Sequence, residues 1–126
     1  MIKRNYIADI ENVLKKRKKP TDLLNIILGF LNFQTAEIKI YNLLLKSSLT
    51  IKEIEKQLNL SERTIRKYIK KLGQEGFIIR KVEQGKRLKY VYMAVPVQET
   101  WKKVNDKIQK ILNEITEVLE TKAVVF

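Results

Sequence analysis

The chain has 126 residues, enough for a single domain with a modest core, and its 44% of hydrophobic residues is ordinary for a folded protein. It contains no cysteine and no histidine, which argues against disulfides, redox chemistry, the usual zinc and haem sites and most catalytic mechanisms. We therefore expect no metal, no cofactor and no enzyme activity, whereas the formal net charge of +12 favours an acidic partner.

Two helices are predicted in the first 34 residues. In residues 2–18 apolar side chains recur at steps of three and four, the pattern of an amphipathic helix, which should end near Pro20. A second helix should start with Thr21 as its N-terminal cap. Because residues 23–31 are apolar on almost all sides, we expect this helix to be buried between elements or subunits.

The same apolar stretch, residues 23–31, bears on membrane insertion. It contains Asn25 and is shorter than the about 20 residues that a membrane-spanning helix needs. Acidic residues precede it and no small-residue cleavage site follows, so it does not resemble a signal peptide. We therefore expect a cytoplasmic protein without membrane contact.

Two helices with recognisable starts are predicted next. Residues 36–46 repeat the helical spacing of apolar side chains, and Thr35 can cap that helix. The following helix begins with Thr50 and Glu53, which form a capping box because each side chain can satisfy a backbone amide left free at a helix start. This short helix should end at Leu58.

A turn and a third helix follow directly. Asn59 stands at the turn, and asparagine is one of the few residues besides glycine that tolerates the left-handed conformation. Ser61 is predicted to cap a helix that runs to about Gln74 and ends before Gly76. At 100° per residue, an inward face of Ile65, Ile69 and Leu72 turns a polar, mostly basic set outward. That set is Arg63, Lys67, Lys70 and Gln74, flanked by Thr64, Arg66 and Lys71.

After this helix the apolar pattern becomes alternating. Residues 77–82 and 88–93 are predicted as the strands of a β-hairpin. They are joined by residues 83–86, a turn in which Gly85 takes the position most tolerant of positive φ. One face of the second strand carries Leu88, Tyr90 and Tyr92.

The last predicted helix starts at Pro96 and carries an apolar seam of about three heptads. So long a seam behind so small a domain needs a second helix to cover it. It can pack on the N-terminal helices of its own chain, but we favour self-association, and both can hold together. The predicted dimerisation residues are Trp101, Val104, Ile108, Ile111, Ile115 and Val118.

The positive charge is concentrated in two stretches. Residues 1–19 hold seven basic and two acidic side chains, and their run at 15–19 suits either a helix C-terminus or a phosphate. Residues 61–90 hold ten basic and three acidic side chains and coincide with the third helix and the hairpin. A basic cluster on such a motif favours nucleic acid over a merely solvated surface.

Three helices followed by a hairpin with a basic tip is the order of a winged helix-turn-helix. The sequence therefore predicts a mainly α fold with a small β-hairpin, divided into N-terminal helices (1–34), a DNA-binding domain (35–95) and a C-terminal coiled-coil dimerisation helix (96–126). We expect a homodimer that binds double-stranded DNA, with residues 62–74 in the major groove and the wing, residues 83–87, on the backbone or minor groove. The predicted DNA-binding residues are Ser61, Arg63, Thr64, Arg66, Lys67, Lys70, Lys71, Lys86, Arg87 and Lys89.

These residues are predicted to contact different parts of the DNA. Arg63 can pair with guanine O6 and N7, whereas Lys70 and Lys71 suit phosphate. Ser61 and Thr64, at the positive end of the helix, can also hold a backbone phosphate.

Four short segments carry a family resemblance: TAEIKIY at 35–41, LTIKEI at 49–54, LSERTI at 60–65 and EGFI at 75–78. With them, residues 31–95 resemble the winged-helix domain of archaeal transcription regulators of the TrmB-like group and the related MarR-like and Lrs-like groups. The resemblance implies a homodimeric transcription regulator in which Arg63, Thr64 and Lys67 take the reading position and the wing at Gly85 contacts the backbone.

The chain departs from that pattern in two places. Glu55 stands where the family usually has a small residue, so the packing of the two helices must differ there. No sugar-binding domain like that of the larger TrmB proteins follows the wing, so the resemblance does not extend to effector sensing by that route, and a small-molecule effector stays an open question.

Two other functions remain open at this point. Lysine makes up 20 of the 26 basic residues and acts as a point charge, which also suits an architectural protein that coats DNA without sequence preference. Alternatively, the winged helix serves as a protein-interaction module. Failure to bind DNA near physiological salt would favour that function.

Overall fold

The structure, a computed structural model, describes residues 5–16 and 19–121. Within these residues the chain forms six helices and one antiparallel β-hairpin, which confirms the predicted fold class. The elements are α1 (Tyr6–Lys16), α2 (Pro20–Phe30), α3 (Thr35–Lys46), α4 (Ile51–Leu58), α5 (Glu62–Gln74), β1 (Ile78–Gln84), β2 (Leu88–Ala94) and α6 (Val97–Glu120). None of the helices in the described ranges is both long and apolar enough to cross a membrane.

The local signals around α4 and α5 act as predicted. The Thr50 hydroxyl accepts from the Glu53 N–H at 3.2 Å, and the Thr50 N–H donates to the Glu53 carboxylate at 2.9 Å, which completes the capping box. Asn59 adopts the left-handed conformation with φ 54°. Ser61 caps α5, its hydroxyl accepting from the Thr64 N–H at 3.2 Å.

The starts of two other helices differ from the prediction. α2 begins at Pro20 with Lys19 at the cap, so Thr21 is not the cap. Proline suits the first helical position because its fixed φ is already helical and its missing N–H has no partner there. Gln34, rather than Thr35, caps α3, and the Gln34 N–H donates to Glu37 Oε1 at 2.8 Å.

The first helix is described over a shorter range than predicted. Asn5 precedes α1, and its side-chain oxygen accepts from the Ala8 N–H at 3.0 Å. The predicted helical positions 2–4 and 17–18 lie outside the described residues.

The hairpin is longer and its turn shorter than the sequence pattern indicated. The strands pair from Ile78 with Ala94 to Gln84 with Leu88, which leaves only residues 85–87 for the turn. Glu83 therefore belongs to β1, and Gly85 does not have the positive φ expected of it. The glycine that adopts a positive φ is Gly76, with φ 78°, just after the end of α5.

One continuous core joins all three parts of the chain. Its centre is formed by residues of α3, α4 and α5, closed on one side by the start of β1 and by Tyr92 of β2. Leu28 of α2 and Val104 of α6 enter the same core. The fully buried apolar side chains are Leu28, Ile40, Tyr41, Ile54, Ile65, Leu72 and Val104.

A buried hydroxyl attaches the final helix to this core. The Tyr41 hydroxyl donates to the Val95 carbonyl at 3.1 Å and shares a hydrogen bond of 2.8 Å with the Thr100 hydroxyl. Burial raises the pKa of Tyr41 above its ordinary value, although the hydrogen bond to Thr100 opposes the rise. The tyrosine is therefore neutral at physiological pH and fixes the first turn of α6 against α3.

Replacing Tyr41 with phenylalanine tests this attachment. The change leaves the Thr100 hydroxyl and the Val95 carbonyl without their partner in a buried site, so the free energy of unfolding should fall by about 1–3 kcal/mol. Tyr90→Phe removes the hydroxyl of a half-exposed ring and is the matched control, with no comparable change expected. Urea denaturation of both variants gives the answer, and equal stabilities would contradict the proposed role of the Tyr41 hydroxyl.

Candidate nucleic-acid interface

The rotation of α5 is set by its apolar side. Ile65 and Leu72 are fully buried and Ile69 nearly so, because α5 packs on α3, α4 and β1. The opposite side faces solvent, as the helical period predicted. Its exposed cations are Arg63, Arg66, Lys67 and Lys70.

At the start of α5, the hydroxyls of Ser61 and Thr64 are hydrogen-bonded to each other. The Ser61 hydroxyl donates to the Thr64 hydroxyl at 2.9 Å while accepting from the Thr64 amide. Ser61 is thus occupied as the cap, whereas the Thr64 hydroxyl keeps its own proton for donation. Of the two residues predicted to hold a phosphate, Thr64 has the free donor.

The two arginines of α5 differ in their surroundings. Arg66 donates from Nε and Nη2 to Glu62 Oε1 at 3.0 and 2.8 Å, and both side chains are more than half exposed. Such a surface pair is worth about 0.3–0.5 kcal/mol, so a phosphate could replace Glu62 at small cost. Arg63 makes no hydrogen bond or ion pair with any residue that the structure describes, so its guanidinium is available to a ligand.

Lys71 has a structural partner that the sequence pattern did not indicate. Its ammonium lies 3.2 Å from Glu37 Oε1 and 4.5 Å from the centre of the Phe33 ring. Glu37 is only 1% exposed, and its other oxygen has no partner among the described residues. Lys71 therefore pairs with a buried carboxylate and attaches α5 to the start of α3. Its predicted contact with DNA stays a prediction.

A second contact supports the same end of α5. The Tyr68 hydroxyl donates to Gln34 Oε1 at 2.9 Å, next to the hydrogen bond between the Gln34 N–H and Glu37. Lys67 lies beside this ring, with its ammonium 6.0 Å from the ring centre, and remains exposed.

The wing cations fall into two groups. Lys86 and Arg87 lie in the turn and are exposed, so they can reach an adjacent surface. Lys89 lies in β2 opposite Glu83, and it lines a groove with Glu53 at the start of α4. The pKa of Glu53 is lowered mainly by its hydrogen bonds with Thr50, and the positive charge of Lys89 contributes to that shift. Lys89 therefore lies close to the carboxylates of Glu83 and Glu53.

Arg80, which was not among the predicted DNA-binding residues, lies near the cations of α5. Arg80 is exposed on β1, and its guanidinium carbon lies 4.3 Å from the centre of the Tyr90 ring. It lines a groove together with Arg66 and Lys70 of α5. The alternating pattern placed Arg80 in a strand, but only the register of β1 with β2 brings it beside Tyr90.

The predicted dimerisation seam is divided along α6. Val104 is 0% exposed within its own chain and offers no surface to a second one, and Ile108 packs against the same core. Trp101 is partly exposed beside an apolar cavity between α2 and α6. Farther along, Ile111, Ile115 and Val118 are 43%, 46% and 62% exposed. Among the described residues, the chain's own core thus covers the seam at Val104 and Ile108, whereas Trp101 and the three later positions keep exposed surface.

These elements define the class of protein. The helix α5, which has a serine cap and packs on a helical core, is followed by a two-stranded wing. This arrangement is a winged helix-turn-helix. Residues 28–98, more than half of the chain, match the family model described as the sugar-specific transcriptional regulator TrmB. The chain belongs to the TrmB family, in agreement with the resemblance seen in the sequence.

Solved structures share this fold. A possible transcriptional regulator from Methanosarcina mazei Go1 superposes with a TM-score of 0.66 at 16% identity, over 75% of this chain and 82% of that one. A MarR-family regulator from Enterococcus faecalis gives 0.51 at 13% identity, over 84% and 94%. A mutant of S. aureus MepR, solved bound to an oligodeoxyribonucleotide, gives 0.51 at 16% identity, over 96% and 87%. A search of curated proteins gave no significant match.

Family and fold together make this chain a transcription regulator with a winged helix-turn-helix.

Two neighbouring lysines provide a test of the interface. Lys71→Met removes the partner of the buried Glu37 and should lower the free energy of unfolding by about 2 kcal/mol. Lys70→Met should leave stability nearly unchanged and weaken DNA binding, with a smaller dependence on salt. Denaturant unfolding and fluorescence anisotropy on one duplex measure both properties. If Lys71→Met were as stable as Lys70→Met, the assignment of Lys71 to Glu37 would be wrong.

Proposed function

We propose that two copies of this chain bind double-stranded DNA together, each inserting α5 into the major groove and resting the turn of its hairpin on the neighbouring backbone. The observation that carries the proposal is the exposed face of α5. Four cations, Arg63, Arg66, Lys67 and Lys70, share it because the apolar side of the helix is buried. The face carries no carboxylate other than Glu62, which is already paired.

Sequence reading falls chiefly to Arg63. It lies in the first turn of α5, where a recognition helix approaches the base edges, and it has no competing partner among the described residues. A guanidinium can donate two hydrogen bonds to guanine O6 and N7, a geometry that a lysine ammonium lacks. Lys67 and Lys70 lie farther along and suit phosphates.

Dimerisation falls to the second half of α6. Ile111, Leu112, Ile115, Val118 and Leu119 form a contiguous exposed apolar surface near the C-terminal end of a helix that the core otherwise holds. Burying such a surface against a second copy removes it from water and sets the distance between two reading helices. This gives the chain a DNA-binding part at 35–95 and a dimerisation part at 96–126, whose described helix is α6 (Val97–Glu120).

The remaining aspects of the proposal follow from DNA binding. A protein that binds chromosomal DNA must work in the compartment that holds the DNA, and for a regulator of this family we propose the cytoplasm. Binding and release of DNA need no bond-making chemistry, and the proposal is for a binding protein rather than an enzyme.

Arg63→Ala separates base reading from backbone attraction. Loss of a bidentate contact should weaken binding to a selected site by about 1–3 kcal/mol and relax the preference at one base pair. Lys86→Ala should weaken all sequences alike and flatten the salt dependence. Lys39→Ala, an exposed lysine on α3, is the control. Anisotropy titrations against the selected site and a random duplex at several salt concentrations measure these effects.

The same titrations decide between the regulator and an architectural protein. A regulator binds its selected site at least about a thousand-fold more tightly than random DNA. Equal affinities of the wild-type protein for the two duplexes would favour nonspecific coating of DNA. No binding to either duplex would favour a protein-interaction module.

Paired charges on α6 test the dimer. Ile115→Asp with Val118→Asp places two carboxylates on the exposed seam and should yield a folded monomer by sedimentation, because buried unpaired charge is costly. Gln109→Asp with Asn113→Asp adds the same charge to the opposite side of the helix and should leave the dimer intact. A persistent dimer in the first variant would exclude this part of α6 as the interface.

A further inference from the structure

A groove separates α5 from the hairpin, and its lining differs from that of the grooves around it. It encloses about 290 Å³, with Ile69 and Ile78 among its apolar lining. Three cations line it, Arg66 and Lys70 from α5 and Arg80 from β1, and no carboxylate does. We call it the helix–hairpin groove. Its lining favours an anionic occupant.

The neighbouring groove shows the contrast. It lies on the other side of Arg66, toward the start of α4, and its lining includes Glu53 and Glu62 as well as Lys52 and Lys89. Mixed charges of this kind largely neutralise one another. The two grooves share Ile51, Arg66 and Tyr92, so the change from mixed to purely positive lining occurs across these three side chains.

Arg80 is held in place at this groove. Its guanidinium stacks near the Tyr90 ring, 4.3 Å from the ring centre, and the two residues lie on the same face of the hairpin because Tyr90 pairs with Val82, two positions from Arg80. Tyr90 is 52% exposed and carries no buried hydrogen bond, so the ring's evident contribution is this contact. A guanidinium fixed before binding loses less conformational freedom when it meets an anion.

The helix–hairpin groove is also continuous with the exposed cationic face of α5. Arg66 and Lys70 belong to both, and Gly73 leaves the groove open at the helix, since a Cβ placed there would meet no atom within 4 Å. An anion bound between α5 and β1 is therefore adjacent to any polyanion that lies along α5.

We propose that the helix–hairpin groove receives a backbone phosphate of the bound DNA, held by Arg80 and Lys70, with Tyr90 as the residue that positions Arg80. The inference rests on the proposed function and extends it from α5 to the stem of the hairpin. Arg80 then limits how far α5 enters the major groove of the DNA. Arg66 leaves Glu62 and contacts a phosphate of the same DNA strand. The contact is to the backbone and carries no base preference of its own.

Arg80 and its neighbour Lys81 form a matched pair for the test. Lys81 is also exposed but points to the other face of β1, opposite Val91. Arg80→Gln should weaken binding to selected and random duplexes alike by about ten-fold and reduce the slope of log affinity against log salt by about one. Lys81→Gln should change affinity by no more than about two-fold.

Tyr90 separates positioning from charge. Tyr90→Leu keeps all cations, so affinity should fall by about three-fold with the salt slope unchanged. Tyr90→Phe keeps the ring and should restore wild-type affinity. The circular-dichroism spectrum and thermal midpoint of each variant report whether it is folded. A fall in salt slope for Tyr90→Leu, or no rescue by Tyr90→Phe, would contradict the positioning role.

Neutral methylphosphonates introduced one at a time into the duplex identify the contact. At one backbone position per half-site the substitution should weaken the wild-type protein, yet cause a clearly smaller loss in Arg80→Gln, in which only Lys70 still holds that phosphate. Additive losses at every position, or an Arg80→Gln variant that behaves like Lys81→Gln, would overturn the proposal. So would inorganic phosphate binding that Arg80→Gln abolishes while DNA affinity is unchanged, because the groove would then be a small-anion site. Absence of any duplex binding by the wild-type protein would overturn the proposed function itself.

Discussion

Burial of one side of α5 determines how the rest of the structure can be used. Ile65, Ile69 and Leu72 insert into the core, and burial of such side chains contributes about 1.5–3 kcal/mol each. Rotating the helix by one residue, about 100°, would bring charged side chains into that core. The exposed arrangement of cations is thus a consequence of apolar packing. Removal of a cation from the exposed face should therefore alter binding without altering the fold.

In the proposed dimer, the final helix connects the exposed face of α5 to a second copy of the chain. Its first half is part of the core, through Val104 and through the hydrogen bonds of Thr100 with Tyr41. Its second half is exposed and apolar. In the proposed dimer a single rigid helix therefore joins the seam to the DNA-binding part, and the separation of two α5 helices is fixed by packing rather than by a flexible linker.

Signals that act over a few residues could be predicted from the sequence. The capping box of Thr50 and Glu53 and the cap at Ser61 each pair a side chain with backbone three residues away. The left-handed conformation of Asn59 follows from the residue type itself. The order of helices and strands followed from the spacing of apolar residues. The caps of α2 and α3 differ from the prediction. Pro20 takes the first helical position of α2, which makes Lys19 the cap, and Gln34 caps α3 in place of Thr35.

Features that depend on distant partners could not be predicted in this way. Lys71 meets Glu37, 34 positions away, so its sequence neighbourhood suggested only a charged surface. The contact of Arg80 with Tyr90 requires the strand register, which alternation alone leaves open. Likewise, the seam of α6 reads as one uniform stripe, and only tertiary packing divides it at Ile108.

Methylation protection by dimethyl sulfate tests the central claim, that α5 reads DNA from the major groove, most directly. The reagent modifies guanine N7 in the major groove and adenine N3 in the minor groove, so a bound duplex from a random-pool selection reports both. The account predicts protection of guanine N7 at two half-sites about 10 base pairs apart, each lost in Arg63→Ala. Protection confined to adenine N3, with guanine N7 fully reactive under saturating protein, would contradict it.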